Sequence, residues 1–308
     1  MTIYEGYRFI REALCNIYDR REAGNIATLV MEKITGMRRT DRLLYKDHIL
    51  PEEQEALLVR YTTLLLEHHP VQYVLGEAWF YGISLYVDEN VLIPRPETEE
   101  LVEWIVKDEG DRLQVAGCRS QVAGLRLQVT GNQVGGGPTI LDVGTGSGCI
   151  AIALKRNIPG ANVYAADISS KALAVARQNA SAQETPIDFL HIDFLDPHHR
   201  NALPLFDIIV SNPPYIPLKD KAAMHKNVVN HEPHSALFVK DNDPLLFYSA
   251  VADFALRHLQ PSGCIYMEIH ESMGKAVEDI FVQHGFAKTA IRKDMQGKDR
   301  MIKATVTN

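Results

Sequence analysis

The residues with the most specific chemistry are Asn212-Pro213-Pro214-Tyr215, which follow an apolar run typical of a buried strand. Proline has a fixed backbone and no N–H group, so backbone carbonyls here can face a substrate as acceptors, and the Asn212 side chain adds another. Two acceptors can hold both hydrogens of an NH2 group, orient its nitrogen towards a methyl donor and accept developing positive charge. With the glycine loop described next, the segment predicts methyl transfer to a planar, amide-like nitrogen, against which Tyr215 can lie. The alternative is a proline-rich turn.

A glycine-rich loop precedes this segment in the chain. Residues 142–148 read Asp-Val-Gly-Thr-Gly-Ser-Gly and follow another apolar run. Glycines let the backbone turn sharply and let a ligand approach without contact from a Cβ atom. Dinucleotide binding is the main rival interpretation, but the loop lacks the G-x-G-x-x-G spacing that places a helix N-terminus under a pyrophosphate. The loop is a weak signal alone, and its position upstream of Asn212 is what favours methyl transfer.

Carboxylates follow the next two predicted strands. Asp167 can accept both hydroxyls of a ribose, which fits either cofactor class; the alternative is a helix cap before Ser169. Asp193 and Phe194 can hold an adenine by hydrogen bonding and stacking, although a phenylalanine considered alone is more often a core residue. These residues extend the predicted cofactor site over two further strand ends.

Alternating strand and helix patterns must position these groups. Apolar runs predict strands at 139–143, 162–167, 188–192, 207–211, 263–268 and 288–292. Helical patterns lie at 148–156, 171–182, 245–258 and 274–284. Such alternation predicts a parallel sheet covered on both faces, with ligands beyond the carboxyl ends of its strands.

The preceding residues predict a separate helical domain over 1–75, with a stop at Gly36 and a helix start at Pro51. Residues 76–93 predict a β-hairpin that links it to a catalytic domain over 94–308. The repeats of 107–138 (Gln-Val-Ala-Gly and its variants) indicate a low-complexity insertion in a surface loop, flexible or weakly β. A helix follows Pro96, where Thr98 is a possible cap.

Several polar residues have an open role in the sequence. Arg95 and Glu97 are interpreted as lining the cleft or bridging the domains. Glu232-Pro233 and Asp299-Arg300 fit structural ion pairs equally well. The histidine pairs at 68–69 and 198–199 lack a carboxylate at metal spacing, so we expect solvated loops and no metal.

Composition limits the functional class. The chain has 308 residues, 46% hydrophobic and 23% charged, which is ordinary for globular domains, and its formal charge of −7 gives no support to broad nucleic-acid binding. Its four cysteines form no C-x-x-C pair. The first residues do not fit a signal peptide, and no uncharged run reaches the ~18 residues of a membrane span. We therefore expect a soluble cytoplasmic protein, monomeric by default.

The motifs together resemble the HemK/PrmC family of release factor glutamine methyltransferases. The resemblance covers nearly the whole chain and rests on Pro70-Val-Gln-Tyr-Val-Leu-Gly76-Glu, Val91-Leu-Ile-Pro-Arg-Pro-Glu-Thr-Glu99, Leu141-Asp-Val-Gly-Thr-Gly-Ser-Gly148, Asn212-Pro-Pro-Tyr215 and Asp294-x-x-Gly297-x-Asp299-Arg300. The combination of the Ile-Pro-Arg-Pro-Glu-Thr-Glu run with Asn-Pro-Pro-Tyr is quite specific. The insertion at 107–138 departs from the family pattern.

The resemblance implies a Rossmann-like α/β fold of seven strands after a helical bundle, with S-adenosyl-L-methionine as the donor and S-adenosyl-L-homocysteine as the product. It implies N5-methylation of the glutamine in the Gly-Gly-Gln motif of class I peptide chain release factors, with the helical domain docking the release factor. Asp167 would hold the ribose, Asp193 and Phe194 the adenine. Asn212, Pro213 and Tyr215 would act in catalysis, and together with Pro214 would bind the glutamine amide, Asn212 also close to the cofactor. The methionine part would lie among Gly144, Thr145, Gly146, Ser147 and Gly148.

Other functions would use the same motifs. An N6-adenine methyltransferase of DNA or RNA also acts on a planar, conjugated amine, but it usually needs a basic groove, and the acidic balance argues against one. N5-methylation of a ribosomal protein glutamine would use identical chemistry. A non-enzymatic cofactor-binding module is disfavoured because Asn-Pro-Pro-Tyr is intact.

Overall fold

The computed structural model describes residues 1–115, 120–123, 126–129 and 136–306, and its backbone divides into two units. One unit comprises Met1–Glu77 with Met224–His231, and the other comprises Ala78–Ala223 with Glu232–Asn308. The predicted limits 1–75, 76–93 and 94–308 stay predictions.

The first unit is helical, as predicted. Thr2 and Glu5 form a reciprocal capping box at the start of its first helix, and the second helix ends at Gly36 in the left-handed region. Apolar side chains from three of the helices, including Ile10, Met31 and Leu58, form its core. The helices are α1 Ile3–Leu14, α2 Arg20–Thr35, α3 Arg39–Leu44, α4 Glu52–Leu66 and α5 Val71–Leu75, with α10 Lys226–His231 further along the chain.

The second unit is built on a seven-stranded sheet with the order β12-β13-β11-β8-β5-β6-β7. The strands of this sheet are β5 Thr139–Val143, β6 Asn162–Asp167, β7 Asp188–His191, β8 Phe206–Ser211, β11 Leu259–Glu268, β12 Lys288–Lys293 and β13 Asp299–Thr305. Smaller pairs are formed by β1 Ala78–Phe80 with β2 Ile83–Leu85, β3 Ser120–Ala123 with β4 Arg126–Val129, and β9 Ile216–Pro217 with β10 Phe238–Val239.

The sheet is mixed, so the prediction of a parallel sheet was wrong at one edge. β13 runs antiparallel to both β11 and β12, whereas the other pairs are parallel. Arg300 and Lys303 interrupt the apolar pattern of residues 299–305, so the pattern did not predict this strand. The six predicted strands are all present, with ends shifted by no more than a few residues.

Helices cover both faces of the sheet, as predicted. Successive residues of β8 alternate between two buried clusters: Ile208 and Val210 belong to one, and Ile209 to the other. The helices of this unit are α6 Pro96–Val115, α7 Cys149–Asn157, α8 Ser170–Ala182, α9 Pro197–Arg200, α11 His234–Leu237, α12 Leu246–His258 and α13 Gly274–Gln283, with a 3-10 helix at Leu218–Ala223.

Two local predictions need correction. The hairpin predicted over 76–93 is limited to β1 and β2, because no strand continues through 86–93. Residues 107–115, the first part of the insertion predicted over 107–138, are helical, because α6 continues to Val115. Two short antiparallel strands, β3 and β4, lie in the rest of it, and residues 116–119, 124–125 and 130–135 lie outside the described residues.

Candidate active site

A cleft lies at the carboxyl ends of β5, β6 and β8, where ligands of such sheets are expected. Its volume is about 290 Å³, close to the lower end of the range for small-molecule sites. Most of the site residues predicted from sequence line it: Gly144, Gly146, Asp167, Asp193, Phe194, Asn212, Pro213 and Pro214. The remaining four (Thr145, Ser147, Gly148 and Tyr215) are not among the residues that line it.

The glycine loop separates an open side from a packed side. Gly146 has a φ of +53°, and a Cβ atom there would meet nothing within 4 Å, so the loop leaves room for a ligand. Gly148 has a φ of +81°, and its Cβ would lie 3.2 Å from Ala176 and 3.3 Å from Ile152. Gly148 is therefore required for the approach of α7 to α8, while Gly146 faces the cleft.

The buried carboxylate of Asp142 holds the glycine loop in place. Thr145 donates its hydroxyl hydrogen to Asp142 Oδ2 at 2.6 Å, and both residues are buried. Burial raises the pKa of Asp142 to about 7. Thr145 therefore supports the loop through Asp142, instead of contacting the cleft.

Asp167 links the loop to the second strand. Its Oδ2 accepts from the backbone N–H of Gly146 at 2.9 Å, and its Oδ1 accepts from that of Ser169 at 2.8 Å. Burial raises the pKa of Asp167, against the effect of these backbone hydrogen bonds. The Ser169 hydroxyl, which accepts from Ala172 N–H, caps α8. Asp167 also lines the cleft.

Phe194 and Asp193 extend the cleft past β7. Phe194 is 7% exposed and packs edge-on against Phe254, with ring centroids 5.0 Å apart. Asp193 Oδ1 accepts from Leu195 N–H at 2.9 Å, which fixes the turn. One aromatic ring thus serves both as a core residue and as part of the cleft wall.

Hydrogen bonds hold the other end of the cleft together. Asn212 Nδ2 donates to Thr98 Oγ1 at 3.0 Å, and Thr98 Oγ1 donates to Glu268 Oε2 at 2.7 Å. The hydroxyl of Tyr215 donates to Glu268 Oε1 at 2.8 Å. One carboxylate therefore connects two of the residues of the Asn-Pro-Pro-Tyr segment.

Glu268 was missed by sequence reasoning, and Thr98 was interpreted only as a possible cap of α6. Burial raises the pKa of Glu268, opposed by hydrogen bonds from Thr98 and Tyr215 and by the charge of Arg300. Burial and the neighbouring Glu268 hold the pKa of Tyr215 well above its usual range. The available signal was a carboxylate at the end of an apolar strand, in line with Asp142 and Asp167 on other strands.

The polar residues with open roles form ion pairs. Arg95 Nη2 lies 2.6 Å from Glu232 Oε1, and Glu232 Oε2 accepts from Ile93 N–H at 3.2 Å. This ion pair connects the segment before α6 to Glu232. The next residue, Pro233, lines the cleft. Arg300 pairs with Asp294, while Glu97 is not among the described residues that line the cleft.

Within the part of the chain that the structure describes, no group of three or more His, Cys, Asp or Glu side chains could hold a metal ion. His69 instead lies against His231, with ring centroids 3.9 Å apart. None of the helices in the described ranges combines the length and apolar character needed to cross a membrane.

Sequence comparison places the two units in known groups. The model of the "Methyltransferase small domain" matches residues 127–236, and that of the "PrmC N-terminal domain" matches residues 8–76. The release factor glutamine methyltransferase of Flavobacterium psychrophilum is 42% identical, over 95% of this chain and 95% of the relative. That of Bacteroides thetaiotaomicron is 36% identical, over 96% and 97%.

Structural comparison supports the fold alone. The catalytic domain of hMettl16, solved in complex with a MAT2A 3′UTR hairpin, has a TM-score of 0.51 at 13% identity, over 83% of each chain.

Proposed function

The chain belongs to the release factor glutamine methyltransferase family, and from this premise we propose that it methylates the side-chain amide nitrogen (N5) of a glutamine in a class I peptide chain release factor. The target glutamine is that of the Gly-Gly-Gln motif, and the methyl donor is S-adenosyl-L-methionine. Release factors are what the relatives' names state, and the cleft supplies the chemistry that such a reaction needs.

One observation carries this proposal: Asn212 lines the cleft while its amide nitrogen donates to Thr98. Its oxygen, on the other side of the amide, is then directed away from Thr98. Pro213 and Pro214, which also line the cleft, contribute carbonyls but no N–H groups. A substrate NH2 group needs such acceptors.

The cleft fits the proposed donor. The open side of Gly146 admits the methionine part of the donor without steric contact, and the carboxylate of Asp167, which lines the cleft, suits ribose hydroxyls. Phe194 and Asp193 offer a ring and a carboxylate for an adenine. When bound, S-adenosyl-L-methionine supplies a methyl group on a sulfonium, a good leaving group.

The residues of the chain then act by orientation and electrostatics. The oxygen of Asn212 and a carbonyl of the proline pair hold the two amide hydrogens, so that the nitrogen faces the methyl donor. With the donor bound, methyl transfer would form a C–N bond and break the methyl–sulfur bond, and the amide nitrogen would lose one proton to water. These acceptors stabilise the positive charge that develops on the NH2 group, so no strong base is needed. Tyr215, fixed by Glu268, limits the space beside the amide.

Substrate recognition completes the proposal. The helical unit docks the release factor, as its match to the PrmC N-terminal domain supports. The enzyme acts as a monomer, in the compartment where release factors work. A ribosomal protein glutamine or an adenine would suit the same acceptors, but release factors are what the names of the two relatives above state.

A labelled-methyl transfer assay tests this function. Purified class I release factor, ribosomal protein and adenine-containing DNA are each incubated with the enzyme and labelled S-adenosyl-L-methionine. We expect label in the release factor only, and none when the glutamine of its Gly-Gly-Gln motif is changed to alanine. Label in the ribosomal protein or DNA instead would overturn the assigned substrate.

A further inference from the structure

We propose that Thr98 and Glu268 are positioning residues that set which way round the Asn212 amide lies, so that its oxygen faces the substrate nitrogen. The proposal rests on the function above and deepens it, because it assigns an orienting role to two residues outside the Asn-Pro-Pro-Tyr segment. Asparagine presents an oxygen and an NH2 group of nearly equal size, and only one of its two orientations can accept from a substrate amide.

Counting hydrogens decides the orientation. An ionised Glu268 is an acceptor only, and its two oxygens receive the hydroxyl hydrogens of Thr98 and Tyr215. Thr98 has one hydroxyl hydrogen, which is committed to Glu268, so towards Asn212 its oxygen can only accept. The NH2 group of Asn212 must therefore face Thr98. A reversed amide would place two acceptor oxygens about 3 Å apart, since the observed Nδ2–Oγ1 distance is 3.0 Å.

The surroundings of Glu268 act on its charge state in both directions. Burial, the largest effect, and the charge of Glu97 raise its pKa, whereas the two hydroxyl donors and the positive charge of Arg300 lower it. A protonated Glu268 would have to donate to one of two hydroxyls that both already donate to it. The donors around Glu268 are thus arranged for a carboxylate.

Each member of this chain of hydrogen bonds is fixed by a different element. Thr98 lies in the first turn of α6 and is 2% exposed, while Glu268 ends β11 and is 1% exposed. Tyr248 of α12 donates to the backbone oxygen of Glu268 at 3.2 Å. Met267, the residue before Glu268, is paired with Ser211, the residue before Asn212. The amide orientation is therefore set before substrate binds, which lowers the reorganisation needed in the transition state.

The competing interpretation is a buried polar cluster that only stabilises the fold. It predicts that removing the hydroxyl at position 98 lowers stability while the kcat of the folded enzyme stays unchanged. Our proposal predicts that kcat falls when this hydroxyl is removed and is preserved when it is kept. It predicts little change in KM for release factor or in Kd for S-adenosyl-L-methionine.

The test compares Thr98→Val with Thr98→Ser. Valine has nearly the shape of threonine but no hydroxyl, and serine keeps the hydroxyl. We expect Thr98→Val to lower kcat about 10- to 100-fold, and Thr98→Ser to recover activity to within about threefold of the unchanged enzyme. Equal kcat for Thr98→Val and the unchanged enzyme, or equal losses in both variants, would overturn the proposal.

Two further variants complete the test. If the loss acts through Asn212, adding Thr98→Val to Asn212→Ala should slow single-turnover transfer no further; an additive loss would overturn the proposal. Should Thr98→Val fail to fold, Glu268→Gln replaces it, because the two hydroxyls donate to different oxygens of Glu268 and glutamine has an NH2 group in place of one of them. A folded Glu268→Gln enzyme with normal kcat would overturn the proposal. Failure of the unchanged enzyme to label any release factor would instead overturn the proposed function, so the two failures are distinguishable.

Discussion

The two ends of the cleft are built in different ways. At the carboxyl ends of β5 and β6, the glycine loop is shaped by backbone geometry, and its side-chain links, from Asp167 to Gly146 and from Asn179 to Ser147, span 21 and 32 residues. At the carboxyl ends of β8 and β11, Asn212 is held by Thr98, 114 residues away, and Thr98 by Glu268, 170 residues away. The first end is a local structure, and the second exists only when α6 and the sheet have come together.

This difference has consequences for substitution. In the glycine loop, we expect each substitution to lower affinity or stability by the contribution of the group that it removes, because these groups act independently. A chain of hydrogen bonds loses its function when any member is removed, because its members act as a unit. Three substitutions would break or sharpen this contrast.

Asn212→Ala should have the largest effect. Removing the side-chain acceptor is expected to lower kcat about 10²- to 10³-fold, by analogy with the loss of one group that stabilises transition-state charge. Affinity for S-adenosyl-L-methionine should stay within a few-fold, because the other end of the cleft is intact. Steady-state kinetics with release factor, together with calorimetric titration of the cofactor, measures both; near-normal turnover would contradict the mechanism.

Asp167→Ala should act on binding. The carboxylate is proposed to accept the ribose hydroxyls, and hydrogen bonds to a charged group contribute about 1.5–3 kcal/mol, so the Kd of the cofactor should rise about 10- to 100-fold. Asp188→Ala, at an exposed position on β7, is the matched control and should leave the Kd unchanged. Unchanged affinity in Asp167→Ala, measured by isothermal titration, would remove Asp167 from the site.

Gly148→Ala should act on stability. Its Cβ would crowd Ala176 and Ile152 in a left-handed backbone conformation, which is expected to cost about 1–3 kcal/mol in the free energy of unfolding. Gly146→Ala has open space around its Cβ and should cost about 1 kcal/mol, while weakening cofactor binding more. Chemical denaturation gives the free energies; equal costs at the two positions would show that the loop has no packed side.

The same contrast explains what the sequence could predict. Gly146 and Asp167 belong to patterns visible within a few residues of each strand end, and Asn212 stands in a tetrapeptide of unusual composition. Thr98 and Glu268 carry local signals that do not reveal their role: one looks like a helix cap and the other like a carboxylate at the end of a buried strand. Their role follows from a contact between distant segments, which composition and periodicity do not encode.

The sheet shows the same limit. Strands in which most residues are apolar, such as β5 and β8, were predicted to within a residue. β13 was missed, and with it the mixed character of the sheet, because Arg300 and Lys303 interrupt its apolar pattern. Strand direction depends on connectivity: a hairpin-like return from β12 reverses β13, whereas helical crossovers keep the others parallel.

The order of the last three strands also constrains how the chain folds. β11, β12 and β13 follow one another in sequence, yet β13 lies between the other two. When β12 follows α13, it must therefore lie two strand spacings, about 10 Å, from β11, which leaves room for one strand between them. β12 joins the sheet only through β13, so the edge that carries Arg300 depends on residues 299–305 pairing with β11 on one side and with β12 on the other.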